Sequence, residues 1–187
     1  ERAMELMREG NWAAAQIEAR GDGQAALDVV LWHYLRAGQG SPRQIQDFLA
    51  RNPDWPGLPF LQEKSEAAMT SASAEDIRAF YADHVPETGA GALSLARAHL
   101  VADDREASNA VVTEAWLTLS LTSEEQAAFV AAYSDVLAPL HTQRLDMALW
   151  RGWSSNARAM FPLVDEGWRR LANARLGLRA DAGGVDT

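Results

Sequence analysis

Apolar residues along this chain recur at three- and four-residue intervals, the spacing that gathers side chains on one face of an α-helix. Between Thr122 and Leu137 they fall at Phe129, Val130, Tyr133, Val136 and Leu137. Ile45, Phe48 and Leu49 make a narrower stripe, and Ile77, Phe80, Tyr81 and His84 make another. From Asp22 to Ala37 two rows run side by side, Leu27, Leu31 and Leu35 in one, Val30 and Tyr34 in the other. A helix that is apolar on nearly two faces has to lie between neighbours.

Punctuation residues divide the pattern into short helices. Asp22, Ser41, Ser73, Asp104, Thr122 and Asp165 stand where an N-cap is needed. Ser41 is followed by Pro42 at the first helical position and by Gln44, and Thr122 by Glu125, the reciprocal arrangement of a capping box. Ser73 precedes Asp76 at the same spacing. Gly21, Gly38 and Gly152 follow apolar runs, where glycine can adopt the left-handed conformation that ends a helix.

These signals predict helices over Arg2–Glu9, Asn11–Arg20, Gly23–Ala37, Pro42–Arg51, Leu58–Met69, Ala74–His84, Gly89–Ala102, Arg105–Leu119, Ser123–Leu137, Pro139–Trp150, Ser155–Val164 and Glu166–Leu178. Connections this short make successive helices antiparallel, and a hairpin recurs about every 31 residues, near the period of tetratricopeptide-like arrays. The fold class expected is therefore all-α: an irregular α-solenoid, or superhelix, of about 11 or 12 helices. It is expected to form a single domain over residues 1–180, with 181–187, small and glycine-bearing, as a linker or disordered end. Helix-like periodicity is already running at Ala3, so any signal peptide is expected to lie upstream of Glu1.

Composition supports helices and narrows the partners. The 187 residues include 35 Ala and 21 Leu but only three Ile, which favours helix formers over β-branched residues. Seventeen basic side chains against 26 acidic ones give a net charge of −9. Nucleic-acid binding needs clustered cations, so no nucleic-acid partner is expected. The uncharged runs are about half the roughly 20 residues of a membrane-spanning helix, so no transmembrane segment is expected. The absence of cysteine fits any redox compartment.

The candidate chemistry resolves into structural roles. Four adjacent acid pairs could supply a general acid and base: Glu75/Asp76, Asp103/Asp104, Glu124/Glu125 and Asp165/Glu166. All four fall at predicted helix starts, where negative charge suits the helix dipole, and neighbours on a helix point about 100° apart. His33, His84, His99 and His141 lack the spacing of a helical metal motif. His84 precedes Val-Pro and is expected to end its helix, with His33 and His99 as core or edge residues. No metal, no cofactor and no catalytic residue is assigned. The glycine clusters Gly21/Gly23, Gly38/Gly40 and Gly89/Gly91 are expected to separate helices.

Of the seven tryptophans, Trp32, Trp116, Trp150 and Trp168 lie within apolar stripes and are expected to fill gaps between helices. Trp55, held between Pro53 and Pro56, is expected to staple two hairpins together. Arg144 and Asp146 sit among Leu145 and Leu149; if buried, each is expected to pair with an opposite charge on a neighbouring helix.

The run LWHYLRAGQGSPRQIQDFLARNPDWPGLPFLQEKSEAAM, Leu31 to Met69, resembles the amino-terminal superhelical domain of soluble lytic transglycosylases. The resemblance rests on Trp32 and Leu35, the Gly38 turn, Phe48 with Leu49, the Pro53–Pro56 turn and Glu66. It continues through Pro86, Thr88 and Gly89, Leu95-Ala96, Ala115-Trp116, then His141, Arg144, Leu145, Asp146 and Trp150. Ala157, Arg158, Met160, Ala174, Arg175 and Leu176 complete it, so that it covers almost the whole chain.

The resemblance implies a periplasmic protein whose parent enzyme acts on peptidoglycan glycan strands. Such a parent cleaves the β-1,4 bond between N-acetylmuramic acid and N-acetylglucosamine and leaves a 1,6-anhydro ring. One glutamate of a carboxyl-terminal lysozyme-like domain does the chemistry in that family, after a Glu-Ser step and a Gly-Leu-Met-Gln motif. Neither occurs here. The chain is then expected to be a non-catalytic scaffold domain, with the lysozyme-like domain downstream and with Trp168, Leu171 and Leu176 partly uncovered. The alternative is a tetratricopeptide-like protein–protein adaptor in the cell envelope, which needs unpaired Asn, Lys or Arg lining its groove.

Overall fold

A computed structural model of the chain describes residues 1–181, with side chains through Arg179. Among these residues there are twelve α-helices and no strand: α1 (Arg2–Arg8), α2 (Trp12–Gly21), α3 (Gln24–Arg36), α4 (Pro42–Arg51), α5 (Leu58–Met69), α6 (Ala74–Phe80), α7 (Gly89–Val101), α8 (Arg105–Thr118), α9 (Ser123–Leu137), α10 (His141–Arg151), α11 (Ser154–Ala159) and α12 (Glu166–Asp181). Single 3₁₀ turns at Ala138–Leu140 and Phe161–Leu163 lead into and out of the α10–α11 pair. The all-α fold is as expected. The loose end expected over 181–187 lies outside the described residues, apart from Asp181, which ends α12.

The chain forms two compact units, Glu1–Asp83 and His84–Thr187. Within the first, α1 packs on α2, α2 on α3, and α3 on both α4 and α5. In the second, α7 packs on α8, α8 on α9, and α10 on α8, α11 and α12. Helices joined by links of two to five residues, as these neighbours are, can pack on each other only by reversing direction. Contacts to the next-but-one helix, α1 to α3, α3 to α5, α7 to α9 and α9 to α11, also recur. Helix-on-helix packing in chain order is the local rule of a solenoid.

Local sequence accounts for most helix ends. Ser41 with Gln44 and Thr122 with Glu125 form complete capping boxes. Ser73, Asp104 and Asp165 each accept a backbone N–H from the first turn they precede. Gly152 ends α10 in the left-handed region, as its position predicts. Asp22 does not start α3; it ends α2, and Gly23, at φ +99°, caps α3. That backbone angle is open to glycine, and it lets the chain reverse within two residues. The helix expected to reach His84 stops at Phe80, with Tyr81 as its C-cap. His84 therefore does not sit at a helix C-terminus. α9 carries a kink at Tyr133 (φ −136°), whose hydroxyl lies 3.1 Å from Ser108 Oγ on α8.

The pair Gly89/Gly91 does not separate helices; both residues lie buried at the start of α7. A Cβ at Gly89 would sit 2.8 Å from the Glu125 carboxyl carbon and from a Leu121 methyl. Glycine there admits the Glu125 carboxylate, whose Oε1 accepts from Ala90 N at 3.1 Å while Oε2 accepts from Thr122 N at 2.9 Å. One carboxylate thus caps both α7 and α9, and the two helix dipoles both favour it. Replacing Glu125 with Ala is expected to cost about 2 kcal/mol, from the loss of two caps. Glu125→Gln, which keeps one accepting oxygen, should lose about half of that; urea unfolding midpoints measure both.

Candidate functional site

The most highly organised polar cluster lies in the second unit, around Arg144. Its side chain is 0% exposed, on the inner face of α10 beside the buried Leu145 and Ala148. Nη1 donates to the Trp116 carbonyl and, at 3.4 Å, to that of Leu119, both at the C-terminus of α8. Nη2 donates to Asn156 Oδ1 on α11 at 2.9 Å. The guanidinium lies over the Trp116 indole, its carbon 4.3 Å from the ring centre, in cation–π contact. Trp116 stacks in turn on Phe129, with 6.1 Å between ring centres.

No carboxylate joins this cluster among the described residues, which corrects the expected pairing of Arg144 with an acid. The negative pole of α8 and an amide oxygen take the place of a counter-ion. Burial pushes the guanidinium down to about 10, which still leaves it cationic at neutral pH. Asp146 faces outward and pairs with Arg175 of α12 at 2.5 Å. Two steps along a helix turns a side chain by about 200°, so Arg144 and Asp146 could not share an environment.

Asn156 extends the cluster. Its Oδ1 also accepts from Leu121 N at 3.0 Å, and its Nδ2 donates to Ser120 Oγ at 3.3 Å. Arg144 and Asn156 together hold the α8–α9 connection against α10 and α11. His141 stands beside Trp116, 5.9 Å between ring centres, with Nδ1 3.2 Å from the Leu163 carbonyl.

In the first unit two acids are buried, Glu66 of α5 and Asp28 of α3, and Asp28 accepts from Gln24 Nε2 and from Arg51 Nη2, each at 2.9 Å. It shares the Leu31–Leu35 stripe of α3, a visible but overlooked signal: one acid at core spacing. Trp55 meets the buried Phe48 edge-on, 5.7 Å between centres, and Trp32 Nε1 donates to Pro56 O at 3.0 Å. The Pro-rich turn is therefore braced from α3 by Trp32, while Trp55 meets α4, the helix just before its own turn, rather than joining two hairpins. Arg36 lies between two rings, 4.4 Å from the centre of Trp32 and 4.9 Å from that of Phe60.

Trp116 fills the core as expected, whereas Trp150 is 78% exposed. Leu149 points inward, so its successor, about 100° further round α10, points out. Trp168 is half-buried and Leu171 is 48% exposed, but Leu176 is buried against the α10 side of the core. The four acid pairs all stand at helix starts, where they cap or flank first turns. His99 lies 3.9 Å from Asp104, and His33 packs edge-on against Trp32. Among the described residues no three His, Cys, Asp or Glu side chains converge as a metal site would require. Nor is any helix long and apolar enough to cross a membrane.

Asp76 is held below the usual carboxylate value of 3.8, first by the Ser73 hydroxyl and then by Gln46 of α4. A depressed carboxylate favours the fold above 3.8 and loses that contribution as pH falls through its lower folded value. Ser73→Ala should move the Asp76 titration, followed by NMR, upward toward 3.8. Arg144→Met, which leaves buried carbonyls unpaired, is expected to cost about 3 kcal/mol in urea unfolding. Arg144→Lys should recover less than half, because an ammonium cannot reach Trp116, Leu119 and Asn156 at once.

Comparison with known proteins adds no relative: no family model, no curated protein and no solved structure matches the chain.

Proposed function

We propose that this chain is a non-catalytic scaffold domain of a peptidoglycan lytic transglycosylase. The observation that supports the reading is what the residues on which the resemblance rests do here. Leu35, Phe48, Trp116, Leu145, Ala157 and Met160 are buried. Trp32 and Trp55 brace the Pro-Asp-Trp-Pro turn. Arg144 ties α8 to α10, and Arg175 links α12 to α10. A motif set made of packing, capping and bracing residues suits a frame, whereas a catalytic motif set would place reactive groups in a cleft.

On this reading the parent enzyme works in the periplasm on glycan strands. A lysozyme-like domain downstream supplies the glutamate that cleaves between N-acetylmuramic acid and N-acetylglucosamine, and this chain contributes a rigid support. The protein–protein adaptor in the cell envelope remains the alternative reading, separated from the first by the same experiment.

Incubated with purified sacculi, the chain alone is expected to release no 1,6-anhydro-muropeptides above the buffer control, as measured by mass spectrometry. Reading the gene beyond the codon for Thr187 is expected to reveal a lysozyme-like domain with a Glu-Ser step. Anhydro-muropeptide release by this chain, or a frame without that domain, would overturn the proposal; the second result favours the adaptor.

A further inference from the structure

The basic side chains of this acidic protein are concentrated in one stretch. Residues 144–179 hold seven of its 17 basic side chains, all of them arginine, and three of its 26 acids. That stretch carries a net charge of +4, and the rest of the chain −13. Arg144 is buried. Of the other six, Arg170 pairs with Glu166 and Arg175 with Asp146. Among the described residues Arg151, Arg158, Arg169 and Arg179 have no carboxylate partner.

The last turns of α10 and α12 lie side by side, since Arg179 Nη1 donates to Leu149 O at 2.8 Å and its Nη2 to Trp150 O at 3.4 Å. Between these helices runs a groove of about 360 Å³, lined by Leu149, Arg175, Leu176, Leu178 and Arg179. At its edge Trp150 is 78% exposed and Leu178 73%. Leu171, two turns back on the Leu178 face of α12, is 48% exposed. Arg175 falls between these leucines and Arg179 follows them, so the apolar row is edged with cations.

Sign and shape together select the occupant. In a chain of net charge −9, an edge of opposite sign draws a negative surface to itself rather than to any other part of the molecule. Trp150 and Leu178 stand out from the edge instead of forming a pocket. A folded partner would have to supply cavities that match them, whereas a fluid lipid layer admits them without any. Tryptophan at headgroup depth, leucine below it and guanidinium on phosphate are how a helix rests in a bilayer interface.

We propose that the α10–α12 edge docks on an anionic phospholipid surface, with Trp150 and Leu178 entering the headgroup layer and Arg151 and Arg179 holding its phosphates. The contact is peripheral, because among the described residues no helix is long and apolar enough to cross a membrane.

Flotation tests this with two kinds of vesicle, equimolar phosphatidylglycerol and phosphatidylcholine, and phosphatidylcholine alone. The chain is expected to bind the anionic vesicles on the order of tenfold more tightly than the neutral ones, and to be released by salt. Trp150→Ala combined with Leu178→Ala, and separately Arg151→Glu, should each weaken binding about tenfold while the urea midpoint stays unchanged. Equal binding to both vesicles, binding to neither, or binding unchanged in either variant would overturn the proposal. A dimer that forms without lipid and is abolished by the double variant would also overturn it, as would equally tight binding to soluble polyglutamate, the mark of a protein partner. The chain extended by the residues its gene encodes after Thr187 should keep the preference for anionic vesicles; its loss there would show the edge covered from within the protein and overturn the proposal too. None of these readouts involves peptidoglycan, so their outcome is separate from that of the scaffold reading.

Discussion

A solvent-free arginine with no acid beside it depends on the groups around it, and the second unit supplies partners for both of its Nη atoms, though none for Nε. Arg144 reaches from α10 to the C-terminal carbonyls of α8, lies over Trp116 and meets Asn156 of α11. The transfer of a guanidinium out of water costs several kcal/mol, and each of these contacts offsets part of it. The offset is complete only if α8, α10 and α11 hold fixed positions. The charge therefore acts as a test of assembly: a misplaced helix leaves a buried cation or buried carbonyls unpaired, and the energy rises steeply. Apolar packing alone, being non-directional, would tolerate sliding.

Glu125 does the complementary task at the other pole of the helices. Its two oxygens serve the first turns of α7 and α9, in a space that exists because Gly89 has no side chain. One cation thus meets a helix C-terminus, and one anion meets two helix N-termini. In the first unit, Asp28 with Arg51, and Trp32 with Trp55, perform similar bracing between α3, α4 and the turn that follows. Charged residues here are spent on holding helices in place, which is the physical content of the scaffold reading.

Most of the helix boundaries could be read along the chain because a helix end is a local event. A Ser or Thr hydroxyl accepts from an amide three residues on, so Ser41, Ser73 and Thr122 announce their helices without help from the rest of the fold. At the start of α3 the boundary moved for an equally local reason: Gly23 displaced Asp22 as the cap. The core stripes were equally legible, since Phe48, Trp116, Phe129 and Leu145 each sit at helical spacing and each is buried. Trp150 shows the limit of that method. Its apolar character placed it in a stripe, but the direction of α10 is set by Arg144 and Leu149.

An all-α chain, most of its helix starts, its main apolar faces and the structural use of its acid pairs can be read along the chain, because these depend on neighbours within about four residues. Which partners the polar residues meet is set by the packing of the helices. Ala90 and Glu125 are 35 residues apart, as are Leu121 and Asn156, and Arg144 lies 28 from Trp116. No periodicity encodes such pairings. They follow from how helices stack, which brings distant carbonyls, amides and one guanidinium within 3 Å or so of each other, where burial makes each hydrogen bond costly to lose.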